Sequence, residues 1–126
     1  MTMKGISASP TVAALIMQLF HARTNAHVLH LRTRSYAQHK ALGEFYDEVV
    51  GLSDDLAESY QGRYGIQDYP ELPYKYDGDA VTMIKSLRRY IDENRMMMCE
   101  HSELQNKIDE IVALLNTTLY KLENLS

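Results

Sequence analysis

A chain of 126 residues has room for one self-sufficient hydrophobic core and not two, which predicts a single domain over residues 1–126. A formal charge of −4, from 13 Lys and Arg against 17 Asp and Glu, supplies no general attraction to nucleic acid, and 45% hydrophobic residues argue against disorder. The lone Cys99 excludes an intrachain disulfide, and its setting beside Met96, Met97 and Met98 predicts a reduced, partly buried thiol in an intracellular protein. The apolar run over residues 12–20 is too short to span a bilayer and has no convincing cleavage site after it, so it is core helix and no membrane partner is expected.

In chain order, Ser9 and Pro10 form a cap and first-turn pair, because Ser accepts from an orphan amide and Pro has none to leave unpaired. A first helix over about 9–33 follows, with Val12, Leu15, Ile16, Leu19, Ala22 and Ala26 at three- and four-residue spacing. Ser35-Tyr36-Ala37-Gln38 has the capping-box form, and Leu42, Phe45, Val49, Leu52 and Leu56 continue a second helix over about 36–62, where Gly62 and Gly65 supply a stop. Residues 66–78 hold Pro70 and Pro73 among Tyr69, Tyr74 and Tyr76 and predict an ordered crossover without regular helix. Asp79 caps a third helix over about 80–99, built on Met83, Ile84, Leu87, Ile91 and Met98. A second capping box, Ser102 to Gln105, opens a fourth helix over about 103–124, whose Leu104, Ile108, Ile111, Leu115, Thr118 and Leu122 alternate gaps of four and three.

Two helical hairpins joined by a long link predict an all-α, antiparallel four-helix bundle of ferritin-like layout with the crossover between the second and third helices. Bundle cores of this kind host metals between facing helices, so the histidines and carboxylates are the residues to weigh. His27, His39, Asp54 and Glu58 stand out, since imidazole with carboxylate suits iron or zinc. Taken singly, each is more simply a structural or surface residue.

Their spacing constrains any joint site. His39 and Asp54 are fifteen residues apart on one helix, roughly 22 Å along its axis, so one ion cannot touch both from the same helix. Asp54 and Glu58 are one turn apart on one face and can converge on an ion. A histidine ligand would then come from a second copy of the helix running antiparallel, which predicts a two-fold homodimer and leaves room for a larger homo-oligomer.

His27 and His39 followed by Asp54 and Glu58 resemble, in spacing, the ferroxidase motif of the Dps family, the mini-ferritins. That resemblance covers residues 9–62 in pattern and the whole chain in helix order. It implies iron sites across a dimer interface, with the histidines from one subunit and the Asp-x-x-x-Glu pair from its neighbour, and no catalytic residues beyond the metal ligands. The position four after His39, where the family carries a ligand Asp, is Gly43 here, and Val28 replaces an aromatic. Asp47, Glu44 and His30, the last three residues after His27 on the same face, are the candidates to complete the shell. The stretch 26–65, and above all Arg34-Ser35-Tyr36-Ala37-Gln38-His39-Lys40-Ala41-Leu42, is also similar to small ferritin-like proteins of tailed bacteriophages, which implies a phage origin and the host cytoplasm.

Three functions follow as expectations. The first is a Dps-like ferroxidase that binds Fe(II), with zinc as the alternative metal, and protects against iron and peroxide. The second is a non-enzymatic phage-encoded helical oligomer that binds a host protein or sequesters a small ligand such as a nucleotide, with Tyr64, Tyr69, Tyr74 and Tyr76 beside Arg63 for stacking and charge, unless these rings simply pack over the bundle end. The third, DNA compaction, is opposed by the acidic balance and by an N-terminal segment 1–10 carrying a single lysine, despite local patches at Arg32, Arg34 and Lys40 and at Arg88 and Arg89.

Overall fold

The computed structural model describes residues 10–126, and the expected cap at Ser9 lies outside them. Four helices make up the described chain: α1 (Val12–Arg32), α2 (Tyr36–Tyr64), α3 (Ala80–Met98) and α4 (Ser102–Asn124), with no strand among the described residues. α1 is capped by Thr11, which has extended backbone and whose Oγ1 accepts from the Ala14 amide at 3.0 Å. Pro10 therefore precedes the cap instead of sitting in the first turn.

Ser35 caps α2 as expected, its Oγ accepting from Gln38 N at 3.2 Å. The reciprocal half of the capping box is not made, because the Ser35 amide donates instead to Thr33 Oγ1 at 3.1 Å. α2 also outruns its expected end by two residues. Gly62 stays helical and the stop falls at Gly65, whose φ of 90° is a backbone state that glycine alone enters without strain.

Asp79 caps α3 through Oδ1, which accepts from Thr82 N at 3.2 Å. The second predicted capping box is overturned. His101 is the N-cap of α4 and makes no side-chain cap bond, Ser102 already lies inside the helix, and the Gln105 amide turns toward α3. There its Nε2 donates to the carbonyls of Arg95 at 2.9 Å and Cys99 at 2.8 Å, so Gln105 satisfies carbonyls at the end of α3 that the helix leaves without partners.

The helices touch in the order α1 on α2, α2 on α4, α4 on α3 and α3 back on α1. Their apolar stripes meet in one cluster in which Leu15, Leu42, Phe45, Ile84, Ile91 and Leu104 are fully buried. Each such side chain contributes on the order of 1.5–3 kcal/mol by leaving water, so the shared core is what holds four amphipathic helices together. Polar rungs fix the register. Lys85 pairs with Glu123, Arg88 with Asn116 and Arg95 with Asp109 between α3 and α4, while Glu44 pairs with Lys121 and Arg63 with Glu103 between α2 and α4.

Residues 65–78 cross from the end of α2 to α3 without regular structure, as the prolines predict. No helix among the described residues is long and apolar enough to cross a membrane.

Candidate functional site

The turn between α1 and α2 gathers three of the five histidines, His27, His30 and His39. Because α1 ends at Arg32 and α2 begins at Tyr36, residues a few positions either side of the turn face one another. His30 and His39 stack with ring centroids 3.7 Å apart and planes 18° apart. Each ring binds the other residue's main chain: His30 Nδ1 donates to the His39 carbonyl at 2.6 Å, and His39 Nδ1 donates to the His30 carbonyl at 2.8 Å. A ring nitrogen facing a carbonyl must carry a proton, so in the neutral form of either imidazole Nε2 is the nitrogen that holds the lone pair.

His27 lies one turn before His30 and stacks on Tyr46 at 4.1 Å and 13°. The same tyrosine meets His30 edge-on at 5.2 Å, so Tyr46, absent from the sequence-derived candidates, is the ring that organises this cluster. Its position between Phe45 and Asp47 on a half-buried turn of α2 gave no spacing signal of its own.

Gly43 explains why His30 joins the group. A Cβ placed on Gly43 would come within 3.0 Å of His30 Cε1 and 3.1 Å of its Nδ1, so the imidazole occupies space that a side chain at position 43 would fill. The missing side chain at 43 and the position of the histidine at 30 are thus one structural feature. His30, His39, Gly43, Glu44, Tyr46 and Asp47 line a shallow depression of about 480 Å³.

The remaining candidates are placed differently. Glu44 is held by Lys121 at 2.8 Å, and that hydrogen bond, reinforced by the lysine's charge, keeps its carboxyl below the usual range. Asp47 is exposed at the rim of the depression. Asp54 and Glu58 are exposed farther along α2, and neither joins an ion pair among the described residues. Among the described residues no three His, Cys, Asp or Glu side chains of one chain come together as a metal site. The nearly parallel planes of His30 and His39 likewise keep their two Nε2 lone pairs from converging on one ion.

The tyrosines of the crossover are tied down. Tyr74 Oη donates to Asn25 Oδ1 at 2.8 Å, Tyr69 Oη donates to Gln61 Oε1 at 2.7 Å, and Arg32 donates to Tyr76 Oη at 3.1 Å. Arg63 is committed to Glu103 at 2.8 Å. Cys99 is buried, and desolvation pushes its thiol above the ordinary range, which makes it a poor nucleophile.

Sequence reasoning missed Asn25. It lies on the buried stripe of α1 beside Ala22 and Ala26, with 2% exposure, and its amide bonds three partners from the crossover and α3. A polar residue on an otherwise apolar stripe was the signal, since a buried amide needs partners.

No solved structure matches this chain. Over 107 residues, 82% of this chain and 81% of the other, it is 31% identical to a protein of Enterobacteria phage T4 described as an uncharacterized 14.6 kDa protein in the mobD-ri intergenic region. A family model described as a family of unknown function, DUF5856, matches residues 30–122, which take in the histidine turn, α2, the crossover, α3 and most of α4. The chain belongs to that family.

Proposed function

We propose that this is a ferritin-like, Dps-like metal-binding protein whose site is completed between two copies joined through antiparallel α2 helices, and that it binds and oxidises Fe(II). The observation that carries the reading is the state of His39. Its Nδ1 is engaged by the His30 carbonyl, which fixes the ring and leaves Nε2 as donor, the outer-shell arrangement that metal-ligating histidines use. On the same helix, roughly 22 Å away, Asp54 and Glu58 stand one turn apart and free of ion pairs among the described residues. A second α2 reversed against the first brings its Asp54 and Glu58 to this His39, and the reverse, giving two equivalent sites per dimer.

The donor chemistry suits iron: imidazole holds the ferrous ion, carboxylates favour the harder ferric ion, and dioxygen or peroxide takes the electrons. Asp47 at the rim is the residue placed to add a carboxylate where Gly43 offers none. Glu44 would first have to leave Lys121. Zinc would bind the same donors without redox chemistry. The register of the polar rungs, in which partners on α4 fall in number as those on α2 and α3 rise, supports an antiparallel bundle. The T4 relative supports a phage origin and hence the host cytoplasm as the place of action.

One observation favours a competing reading, a metal-free phage-encoded oligomer that binds a host protein or a small ligand. The stacked rings of His30 and His39, each bonded to the other's main chain, already serve as a clasp on the α1–α2 turn without any metal. Iron chemistry separates the two. Metal-free protein mixed with Fe(II) in air should raise the ferric absorbance faster than buffer does, and the Asp54→Asn, Glu58→Gln double variant, altered only at exposed positions, should lose the acceleration. A wild-type rate equal to buffer overturns the iron reading.

A further inference from the structure

α1 differs from α2 in what it leaves outside. Its core stripe runs through Leu15, Leu19, Ala26 and Leu29, α2 covers the side of His27 and His30, and the crossover covers the side of His21, Asn25 and Arg32. At 3.6 residues per turn, the side left open carries Met17, Phe20, Thr24, Val28 and Leu31. Thr24 is exposed, Met17 and Val28 are half-buried, Phe20 is 37% exposed and Leu31 71%. Four of these five side chains are apolar, whereas the open side of α2 carries Lys40, Glu44, Asp47, Asp54 and Glu58. Arg23 and Arg32 are the only Lys, Arg, Asp or Glu in the whole of α1. A helix apolar on its outer side as well as its inner one calls for a partner on both.

The strip is symmetric about Thr24. Phe20 and Val28 stand four positions to either side of it, and Met17 and Leu31 seven. A like helix reversed against this one and crossing it at Thr24 therefore sets Phe20 against Val28 and Met17 against Leu31, twice each, with the small Thr24 side chains at the closest approach. A face that complements itself when reversed is what a two-fold interface between identical chains requires. The three- and four-residue gaps are those of helices packed at a shallow angle.

The level of Thr24 in the bundle points the same way. His27 stacks on Tyr46 and the His30 ring fills the space beside Gly43, so the neighbours across α1 and α2 put Thr24 level with Val49. A pairing of two α2 helices that sets His39 opposite Asp54 and Glu58 centres between Asp47 and Glu48. Both centres lie within one helical turn of a single two-fold axis, with α1 facing α1 and α2 facing α2.

We infer that the outer strip of α1 is a docking surface for α1 of a second copy of this chain, antiparallel and crossing at Thr24. Its axis is the one of the proposed function, whereas the contact itself forms with no metal present.

Sedimentation of the full chain in EDTA tests this. A monomer–dimer equilibrium is expected, and Thr24→Glu, which sets two carboxylates at the crossing, should weaken it at least about tenfold. Thr24 is exposed, so the variant should keep the helix content of wild type. Oxidation with diamide reads the register. Thr24→Cys should cross-link to its own copy. Phe20→Cys should not, because two such residues lie roughly 12 Å apart along the axis, but it should cross-link when mixed with Val28→Cys. Wild type, whose thiol is buried, is the control. A chain that stays monomeric at millimolar concentration, a dimer that Thr24→Glu leaves unchanged, or Phe20→Cys linking to itself in preference to Val28→Cys overturns the inference. A dimer that forms only on adding Fe(II) also overturns it and leaves the metal reading standing, and a Thr24-linked dimer that takes up no Fe(II) does the opposite.

Discussion

The two connections of the first three helices are fastened by the same chemistry at very different reach. The α1–α2 turn is clasped by His30 and His39, nine residues apart, each donating to the other's carbonyl. The crossover is fastened by Asn25, which bonds Tyr74, Asp77 and Met83 from 49 to 58 residues away. The clasp closes a turn that the short link and the two helix caps already define, whereas the crossover has no repeating hydrogen-bond pattern of its own. The buried Asn25 amide makes the most bonds to it, beside those of Gln61 to Tyr69, Arg32 to Tyr76 and His21 to the Leu72 carbonyl nearer the surface.

That contrast predicts unequal damage. Asn25→Ala removes the acceptor for Tyr74 Oη and the Asp77 amide and the donor to the Asp77 carbonyl inside a site with 2% exposure, and should cost about 2–4 kcal/mol. A melting temperature lowered by roughly 10 °C, with new proteolytic cleavage confined to residues 66–78, is the expected outcome. His39→Ala removes one donor at a half-buried turn and should cost only about 1 kcal/mol. Equal losses in denaturant melts would erase the distinction between the two fastenings.

Glycines on α2 sharpen the comparison further. Gly51→Ala adds a methyl where nothing lies within 4 Å, so in the isolated chain it should raise stability by about 0.5–1 kcal/mol through helix propensity. Gly43→Ala gains the same propensity and meets His30 at 3.0 Å, with a ring pinned by stacking and by its bond to the His39 carbonyl. It should therefore be neutral or destabilising by up to about 1 kcal/mol. Matched urea titrations of the two variants measure the difference, and equal gains would show that the His30 ring moves freely.

The smallest effect is electrostatic. The Glu44 carboxyl is held down by Lys121, and that of Asp79 first by the Thr82 amide it caps, so both are charged in the fold at pH values where the unfolded chain would begin to protonate them. Their contributions are present above the ordinary carboxylate range, about 4, and are lost as the pH falls through the lowered values. The melting temperature should stay level from pH 8 to pH 5 and decline below about pH 4. Both groups are exposed, so the decline should be shallow and should weaken with added salt for the Glu44 pair.

How much was legible in the sequence follows the same division between local and long-range. Helix periods and the caps at Ser35 and Asp79 are local, and those elements appear where the residues place them. Gln105 shows the limit: its spacing after Ser102 fits a capping box, yet the amide is drawn to the carbonyls ending α3, a competition that only the packed hairpin sets up. In the candidate site, the distance between His39 and Asp54 could be read from helix rise alone. The stacking of His30 on His39, the room left by Gly43 and the role of Tyr46 could not, because each depends on how closely α1 approaches α2. Asn25 was visible as a polar break in an apolar stripe, and its partners about fifty residues away were not.

Under the proposed function two copies of α2 share a metal that neither holds alone, and native mass measurement with and without Fe(II) under anaerobic conditions decides it. A metal-loaded dimer carrying two ions when both sites fill, and loss of bound metal in the Asp54→Asn, Glu58→Gln variant, are the expected results. Ions retained by a monomer, or a dimer whose metal content is unchanged in that variant, would contradict it.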